Sequence, residues 1–457
     1  MPAVTPDAHG LSHNSNIRMN KTIQIVAAAA LSALTLPVAA QTNGSNSPYS
    51  RYGFGLLNDG SNAFNIGMSG TAYGMRNGTE VNTKNPASYA AIDSLSFLFD
   101  FGLSLQNANI SQNGVKTNAR NTSVDYVTIG FRAAPRLGMS VGLMPYSTIG
   151  YNTSTSGTVP NTNPEVTRTT AYSGDGGLHE VYYGLGWAPH KNLSFGANLG
   201  YLWGDLSHKV VMSYSESSVN TNRQVYETDV RSYKVDFGVQ YVQPIDKKNT
   251  LTLGFVYGLG HDVNTRADFL NQSLVSGTVS SGDTLHCSNA YQIPHTFGAG
   301  ITWSHNNSLR LGFDYTFQKW GSVKFPQVLT DAATGTQSYQ AVKGQFTDMH
   351  KMALGVEYIP NPEGIRWAQH VRYRAGFSFS TPYITNVSGN DGPRDYQASL
   401  GVALPIMNMH NNRSLLNISA QYERVAPKAA GMITENYLRL CIGLSFNERW
   451  FMKWKVE

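Results

Sequence analysis

The sequence predicts an all-β protein, a transmembrane antiparallel β-barrel of about fourteen strands. Three observations predict it. The chain opens with an export leader. Stretches of roughly ten residues alternate apolar and polar with period two. The gaps between those stretches are alternately short and long, as turns on the two sides of an outer membrane are.

Met19-Asn20-Lys21 gives the leader a basic start. Residues 23–36 follow, mostly apolar and uncharged, a run of roughly 14 residues, too short for a membrane helix. Pro37-Val38-Ala39-Ala40 supplies small residues for cleavage, with Gln41 as the expected first mature residue. Residues 1–40 are therefore read as a signal region that is removed. Residues 1–18 are polar and shapeless, either a misassigned start or a longer leading stretch.

Composition narrows the class. The chain has 457 residues with 44 Gly and 25 Tyr, and only 14% are charged. A mean hydropathy of -0.27 argues against a helical membrane protein. No apolar run outside the leader comes near the roughly 20 residues a membrane helix needs. Loss of Asp7, Arg18 and Lys21 lowers the formal charge of +5 to about +4, scattered along the chain, so no nucleic-acid partner is expected. Cys287 and Cys441 are far apart and form no framework of spacings, so they read as isolated small residues, with a bridge as the alternative.

The strands are read in order at 94–106, 123–133, 137–146, 179–187, 193–213, 226–242, 249–262, 295–304, 309–319, 346–358, 371–383, 394–405, 414–424 and 435–447. Leu309, Leu311, Phe313, Tyr315 and Phe317 share one face, and Arg310, Gly312, Asp314, Thr316 and Gln318 the other. Leu438 to Phe446, Leu251 to Leu259, Phe297 to Trp303 and Tyr373 to Phe379 repeat the pattern. The apolar set is assigned to lipid, and the set rich in Gly, Arg and Asp to the interior. Trp187, Trp303, Trp320, Tyr358, Tyr383 and Trp450 are read as aromatic girdles near strand ends. Residues 147–178, 263–294 and 320–345 are the largest gaps and are assigned to polar outer loops. The tight gaps, such as Ala134-Pro135-Arg136 and 305–308, are assigned to periplasmic turns. The turn at Pro360 to Gly364 is long for that side. This alternation places both termini in the periplasm.

Residues 41–93 belong to no strand and are read as a separate N-terminal hatch or plug, with 94–457 as the barrel. Such a length is unusual for a connector. Glycines at 53, 55, 67, 70, 74 and 78 let backbone pack closely, and Phe54, Leu56, Leu57, Phe64, Ile66 and Met68 need burial. The inside of the barrel is the nearest place for them. The segment ends in Asn85-Pro86-Ala87, whose simplest reading is a rigid turn into the first strand: Asn bonds local backbone, Pro fixes φ, and Ala permits close approach.

Gly67-Met68-Ser69-Gly70-Thr71-Ala72 and Asn85-Pro86-Ala87-Ser88-Tyr89, followed at once by fourteen strands, resemble the long-chain fatty acid transporter (FadL-type) family of outer-membrane channels. The opening "SPYSRYG" and the ending "LSFNERWFMKWK" look like a Bacteroidota branch of it. The resemblance implies a hatch inside the barrel, carrying Gly67, Gly70 and Asn85-Pro86-Ala87. It also implies a lateral portal at a kink in the third strand, where Pro145, Tyr146 and Gly150 stand; Ser147 departs from the glycine usual after the family's Pro-aromatic pair. Pro145 cannot donate to a ladder and belongs at an edge or bulge, or else simply ends the strand.

No enzyme motif is present: no His-Glu-x-x-His, Gly-x-Ser-x-Gly or phosphate loop. No cofactor or metal is expected. Arg310, Asp314, Glu357, Arg372, Arg374 and Arg439 all face the interior, where they either pair with one another or hold a ligand carboxylate. Three functions remain in play. The first is hatch-gated passive uptake of hydrophobic or amphipathic molecules. The second is a non-transporting barrel that serves as accessory or scaffold subunit of an outer-membrane assembly or secretion complex. The third, a membrane-embedded hydrolase, lacks its constellation. Expected partners are outer-membrane lipid, a hydrophobic ligand, or partner proteins.

Overall fold

The computed structural model describes residues 45–385, 391–406 and 414–449. The leader and Trp450 lie outside the described residues. The described chain begins with a two-residue strand, β1 (Leu56–Leu57), inside a segment of turns and short helices that runs to Asp93. The wall then rises and falls through β2 (Ser96–Gln112), β3 (Val115–Ala134), β4 (Leu137–Pro145), β5 (Ser147–Thr158), β6 (Thr167–His190), β7 (Leu193–Tyr214) and β8 (Thr221–Pro244). It continues through β9 (Asn249–Gly258), β10 (His261–Val263), β11 (Arg266–Val275), β12 (Thr278–Ser288), β13 (Tyr291–Ile293), β14 (Thr296–His305) and β15 (Leu309–Gln318). Last come β16 (Phe325–Thr330), β17 (Gln337–Val342), β18 (Met349–Tyr358), β19 (Arg372–Ser380), β20 (Arg394–Ile406), β21 (Ser414–Ala426) and β22 (Thr434–Arg449).

These strands make a closed barrel of fourteen antiparallel staves. Three staves are interrupted: β4 continues as β5, β9 as β11, and β12 as β14, each pair sharing its neighbours in the sheet. Closure comes from β2, which pairs with β3 on one edge and with β22 on the other. Among the described residues no helix is long and apolar enough to cross a membrane; in a barrel the crossing is made by strands, which pair their backbone groups with neighbouring strands.

The period-two assignment of faces holds. Leu311 and Phe313 are each 43% exposed, while Asp314 between the next pair is 2% exposed. Phe99 and Phe101 on β2 lie on the same outward face as Ile442 and Leu440 on β22. The apolar face is therefore the lipid face.

Two expectations fail. The stretches 147–178, 263–294 and 320–345 are not open loops. β5 pairs with β6 from Ile149–Gly176 to Thr158–Thr167, β11 pairs with β12, and β16 pairs with β17. The rungs nearest the wall bury inward side chains, Ile149, Tyr151, Ala267, Phe269 and Cys287, but farther out both faces are exposed, so a sustained alternation is missing, yet Ser and Thr still suit the extended chain. The hairpin at Asn113-Gly114 was also passed over; both residues have positive φ, as a two-residue turn of this hand requires. The second failure concerns the girdle. Trp187, Trp303 and Tyr358 lie on the outward face, but Trp320 and Tyr383 are 0% and 8% exposed. They belong to an aromatic cluster within the mouth of the barrel at the end of the long hairpins, where Trp320 lies 4.6 Å from Tyr383 and 5.6 Å from Phe54 between ring centroids.

Cys287 in β12 and Cys441 in β22 are both free and buried.

Candidate functional site: the N-terminal segment and the wall around it

Residues 45–93 make contact with the inward face of the wall around most of its circumference. Glycines on that face make the contact close. A methyl group on Gly138 of β4, Gly254 of β9 or Gly376 of β19 would overlap the backbone of Tyr89, Tyr73 or Met68. The abundance of inward glycine is thus a matter of room for a second layer of backbone.

The wall's polar side chains then read the segment's backbone. Asp314 accepts hydrogen bonds from Ala72 N at 2.6 Å and Tyr73 N at 2.8 Å. Gln240 Nε2 donates to Tyr73 O and Met75 O, both at 3.0 Å. Gln421 Nε2 donates to Ile66 O at 3.0 Å. Buried backbone groups need such partners wherever no ladder supplies them.

Within the segment, the short helix Ala63–Ile66 starts at Asn62, whose N–H donates to Asn65 Oδ1 at 2.9 Å. Gly67 closes that helix, its Cα facing Ser419, Arg374 and Gly401 of the wall. Gly70 has a φ of +84°, which a side chain would strain, and its N–H bonds Asn65 O at 3.0 Å. Asn85 does two jobs: its Oδ1 accepts from Ala87 N at 3.1 Å, and its Nδ2 donates to Tyr73 O at 2.8 Å. Pro86 starts the 3-10 turn Pro86–Ala91, a position where its missing N–H costs nothing. Ala87 is fully buried where Gly196 and Gly238 approach.

Four of the six interior charges singled out from the sequence form one cluster. Arg374 Nε bonds Glu357 Oε2 at 2.7 Å, and Arg310 Nη1 bonds Glu357 Oε1 at 2.8 Å. Arg374 Nη2 reaches Glu80 Oε1 of the N-terminal segment at 2.9 Å, and Arg372 bonds the other Glu80 oxygen. Arg374 Nη1 also donates to Asn417 Oδ1 at 2.8 Å. Glu80 and Glu357 are 3% and 1% exposed, so each carboxylate relies on these guanidinium groups for solvation. Asp314 stands apart, committed to the segment's backbone. Arg439 also stands apart, paired with Glu423 at 2.6 Å. Glu80 was missed in the sequence because it lies in an irregular stretch with no periodicity to fix its direction. A second tie was missed for the same reason: Asp59 of the segment bonds Lys351 of β18 at 3.0 Å and lies 3.6 Å from Lys84.

The third stave is interrupted at Tyr146. Pro145 is the last rung of β4, opposite His179. Tyr146 leaves the ladder, though its N–H bonds Leu178 O at 2.7 Å, and β5 begins at Ser147. On the other side, β3 pairs with β4 only as far as Val127–Leu143; beyond that it pairs with β2 alone. The wall is therefore split between β3 and β5 toward the end that carries the long hairpins. The N-terminal segment occupies the split. β1 pairs with β5 through Leu56–Thr148 and Leu57–Ser147. Gly150 N donates to Ser50 Oγ at 3.1 Å, and Gly150 O accepts from Ser45 Oγ at 2.9 Å. On the opposite lip Asn46 Nδ2 bonds Asn121 Oδ1 at 2.8 Å.

Ser47 Oγ and Tyr49 OH bond Glu435 and Ile433 O beside the start of β22. Ser45 and the end of β22 at Arg449 are therefore at opposite ends of the barrel. The termini themselves lie outside the described residues.

Between segment and wall, a cavity lined by Ala63, Ile66, Tyr126, Asn417 and Cys441 holds about 10 Å³, no more than a water's worth of space. Among the described residues no group of three or more His, Cys, Asp or Glu could hold a metal.

A family model described as BamG matches residues 19–457. Several solved structures share the fold at low identity. The toluene transporter TbuX of Ralstonia pickettii aligns with a TM-score of 0.60 at 13% identity, covering 86% of this chain and 99% of that one. A Pseudomonas aeruginosa FadL homologue gives 0.58 at 13%, covering 86% and 99%. The CymD monoaromatic hydrocarbon channel gives 0.57 at 14%, with the same coverage. No curated protein sequence matches the chain. These likenesses show that the chain has the FadL-type barrel fold.

Proposed function

We propose that this chain, which belongs to the BamG family, serves as a sealed accessory or scaffold barrel of an outer-membrane assembly or secretion complex. The observation that carries this reading is the filled interior. Backbone of residues 45–93 lies against inward glycines of the wall, a five-charge cluster ties Glu80 to Arg372 and Arg374, and aromatic rings occupy the mouth. A conduit for hydrophobic molecules needs a continuous apolar cavity, whereas a scaffold needs only a rigid wall. Purification from native membranes in mild detergent, followed by mass spectrometry, tests it. Stoichiometric partner proteins are expected. A lone barrel that carries a hydrophobic small molecule refutes it.

A second reading, hatch-gated passive uptake of hydrophobic compounds, is favoured by the split beyond Val127–Leu143 and its occupation by β1. In that reading the split is the lateral portal, Pro145, Tyr146 and Gly150 are its lip, and withdrawal of β1 opens it. A disulfide between Leu57→Cys and Ser147→Cys locks the pair. Uptake of a hydrophobic probe into proteoliposomes that stops on oxidation and returns on reduction supports the channel; no uptake in either state removes it.

A further inference from the structure

We propose that the outward face of β20, β21, β22, β2 and β3 carries a docking site for the phosphate-bearing headgroup of an outer-leaflet lipid. On these five adjacent staves the lipid face is apolar up to one level. On β2 it runs Phe97, Phe99, Phe101, Leu103 and Leu105, and the next outward residue is Asn107. At that level and the rungs above it the outward side chains turn basic. Arg120 sits opposite Asn107, Arg424 opposite Asn436, and Arg394 opposite Ala426. Lys116 is two rungs above Arg120 on the same face. Arg120, Arg424 and Lys116 are exposed and Arg394 is half-buried.

Within the ladders of these staves the acids point inward, Glu423 to Arg439, Glu435 to Ser47, and Asp125 to Ser104; past the Arg394–Ala426 rung, exposed Asp391 lies 3.4 Å from Lys428. Amides and a phenol sit between the cations. Asn118 Nδ2 bonds Asn107 Oδ1 at 2.7 Å and Asn109 Oδ1 at 2.8 Å, and Tyr422 OH bonds Asn436 Oδ1 at 2.9 Å. Arg424 and Arg120 are three strand spacings apart, roughly 15 Å along the wall, so the band is broad enough for a headgroup with more than one charge.

A second arc, formed by β6, β7 and β8, differs. There the outward residues above Val181, Tyr201 and Tyr233 include Asp175, Asp205 and Asp229, with Arg231 already paired to Asp229 at 3.0 Å. The outer rim is thus basic over one arc and acidic over another. Cations just above an apolar belt meet an anionic headgroup while its acyl chains lie on the belt below, and each is worth about a factor of five in affinity.

The test uses full-length protein purified in detergent, stripped of lipid and titrated with dihexanoyl phosphatidic acid under native mass spectrometry. The Arg120→Gln/Arg424→Gln pair is expected to weaken retention roughly 10- to 30-fold, and Arg231→Gln to leave it unchanged. Heat-shifted gel mobility shows that each variant is folded. Equal retention by wild type and the double variant overturns the proposal, as does equal loss in Arg231→Gln. Inorganic phosphate that binds as tightly as the lipid reassigns the site to the free anion and overturns the lipid assignment. A co-purifying protein lost from the double variant, with lipid retention intact, overturns it in favour of an acidic protein surface.

Discussion

The N-terminal segment is fastened in two different ways at its two ends, and the contrast separates what fixes it from what covers it. Deep in the barrel, residues 62–87 are held by directional polar contacts: Glu80 to two arginines, Asp314 to two N–H groups, Gln240 and Gln421 to carbonyls. Near the mouth the bonds of Ser45, Ser47 and β1 are joined by ring packing: Phe54 lies 5.6 Å from Trp320, 5.5 Å from Tyr291 and 6.1 Å from Phe325 between centroids. Polar contacts of this kind have one geometry, so they set register. Ring packing tolerates small shifts and contributes mainly through area removed from water.

Breaking the deep end has the largest expected effect. Glu80→Ala leaves three guanidinium groups, Arg310, Arg372 and Arg374, to share the single carboxylate of Glu357 and costs about 3–5 kcal/mol. Thermal unfolding in detergent measures it, and protease cleavage within residues 45–93 is expected to rise with it. Phe54→Ala removes the central ring of the mouth and costs about 3 kcal/mol. Its signature is different: cleavage is expected to rise near residues 45–58 and not near Glu80. Equal cleavage at both ends would mean that the two fastenings are one cooperative unit. Asn85→Ala removes a cap and a bond to Tyr73 O, for about 1–2 kcal/mol, with the segment still docked. Arg439→Gln is the smallest. Its bond to Glu423 belongs to the wall and is partly solvated, so the loss is about 0.5–1 kcal/mol and segment protection is unchanged.

The two ends also differ in how much of them the sequence discloses. The membrane-crossing staves are legible because lipid forces apolar residues onto every second position, and that rule gave the fourteen staves and the inward direction of Arg310, Glu357, Arg372 and Arg374. What each inward charge bonds is not legible. Arg439 points inward like the others but meets Glu423, and Asp314 serves backbone instead of a cation. Glu80 and Asp59 sit in irregular chain, where no period assigns direction. Trp320 and Tyr383 were misplaced for a related reason: a large aromatic ring at a strand end fits a membrane girdle and a buried mouth equally well, and only the tertiary contact with Phe54 decides. The ladders β5–β6 and β11–β12 are hidden because, past the first rungs that bury Ile149, Tyr151, Ala267, Phe269 and Cys287, both faces are exposed and impose no alternation.

The split wall also bears on the order in which the molecule is made. The segment threads the barrel lengthwise, from Ser45 beside Gly150 to Asp93 just before β2, and β2 is the stave on which the ring closes against β22. A ring that has shut admits forty-odd residues of folded chain far less readily than one still open. The first-synthesised part of the described chain is therefore best laid down while β22 is still free, so that the last strand to arrive closes over a filled barrel.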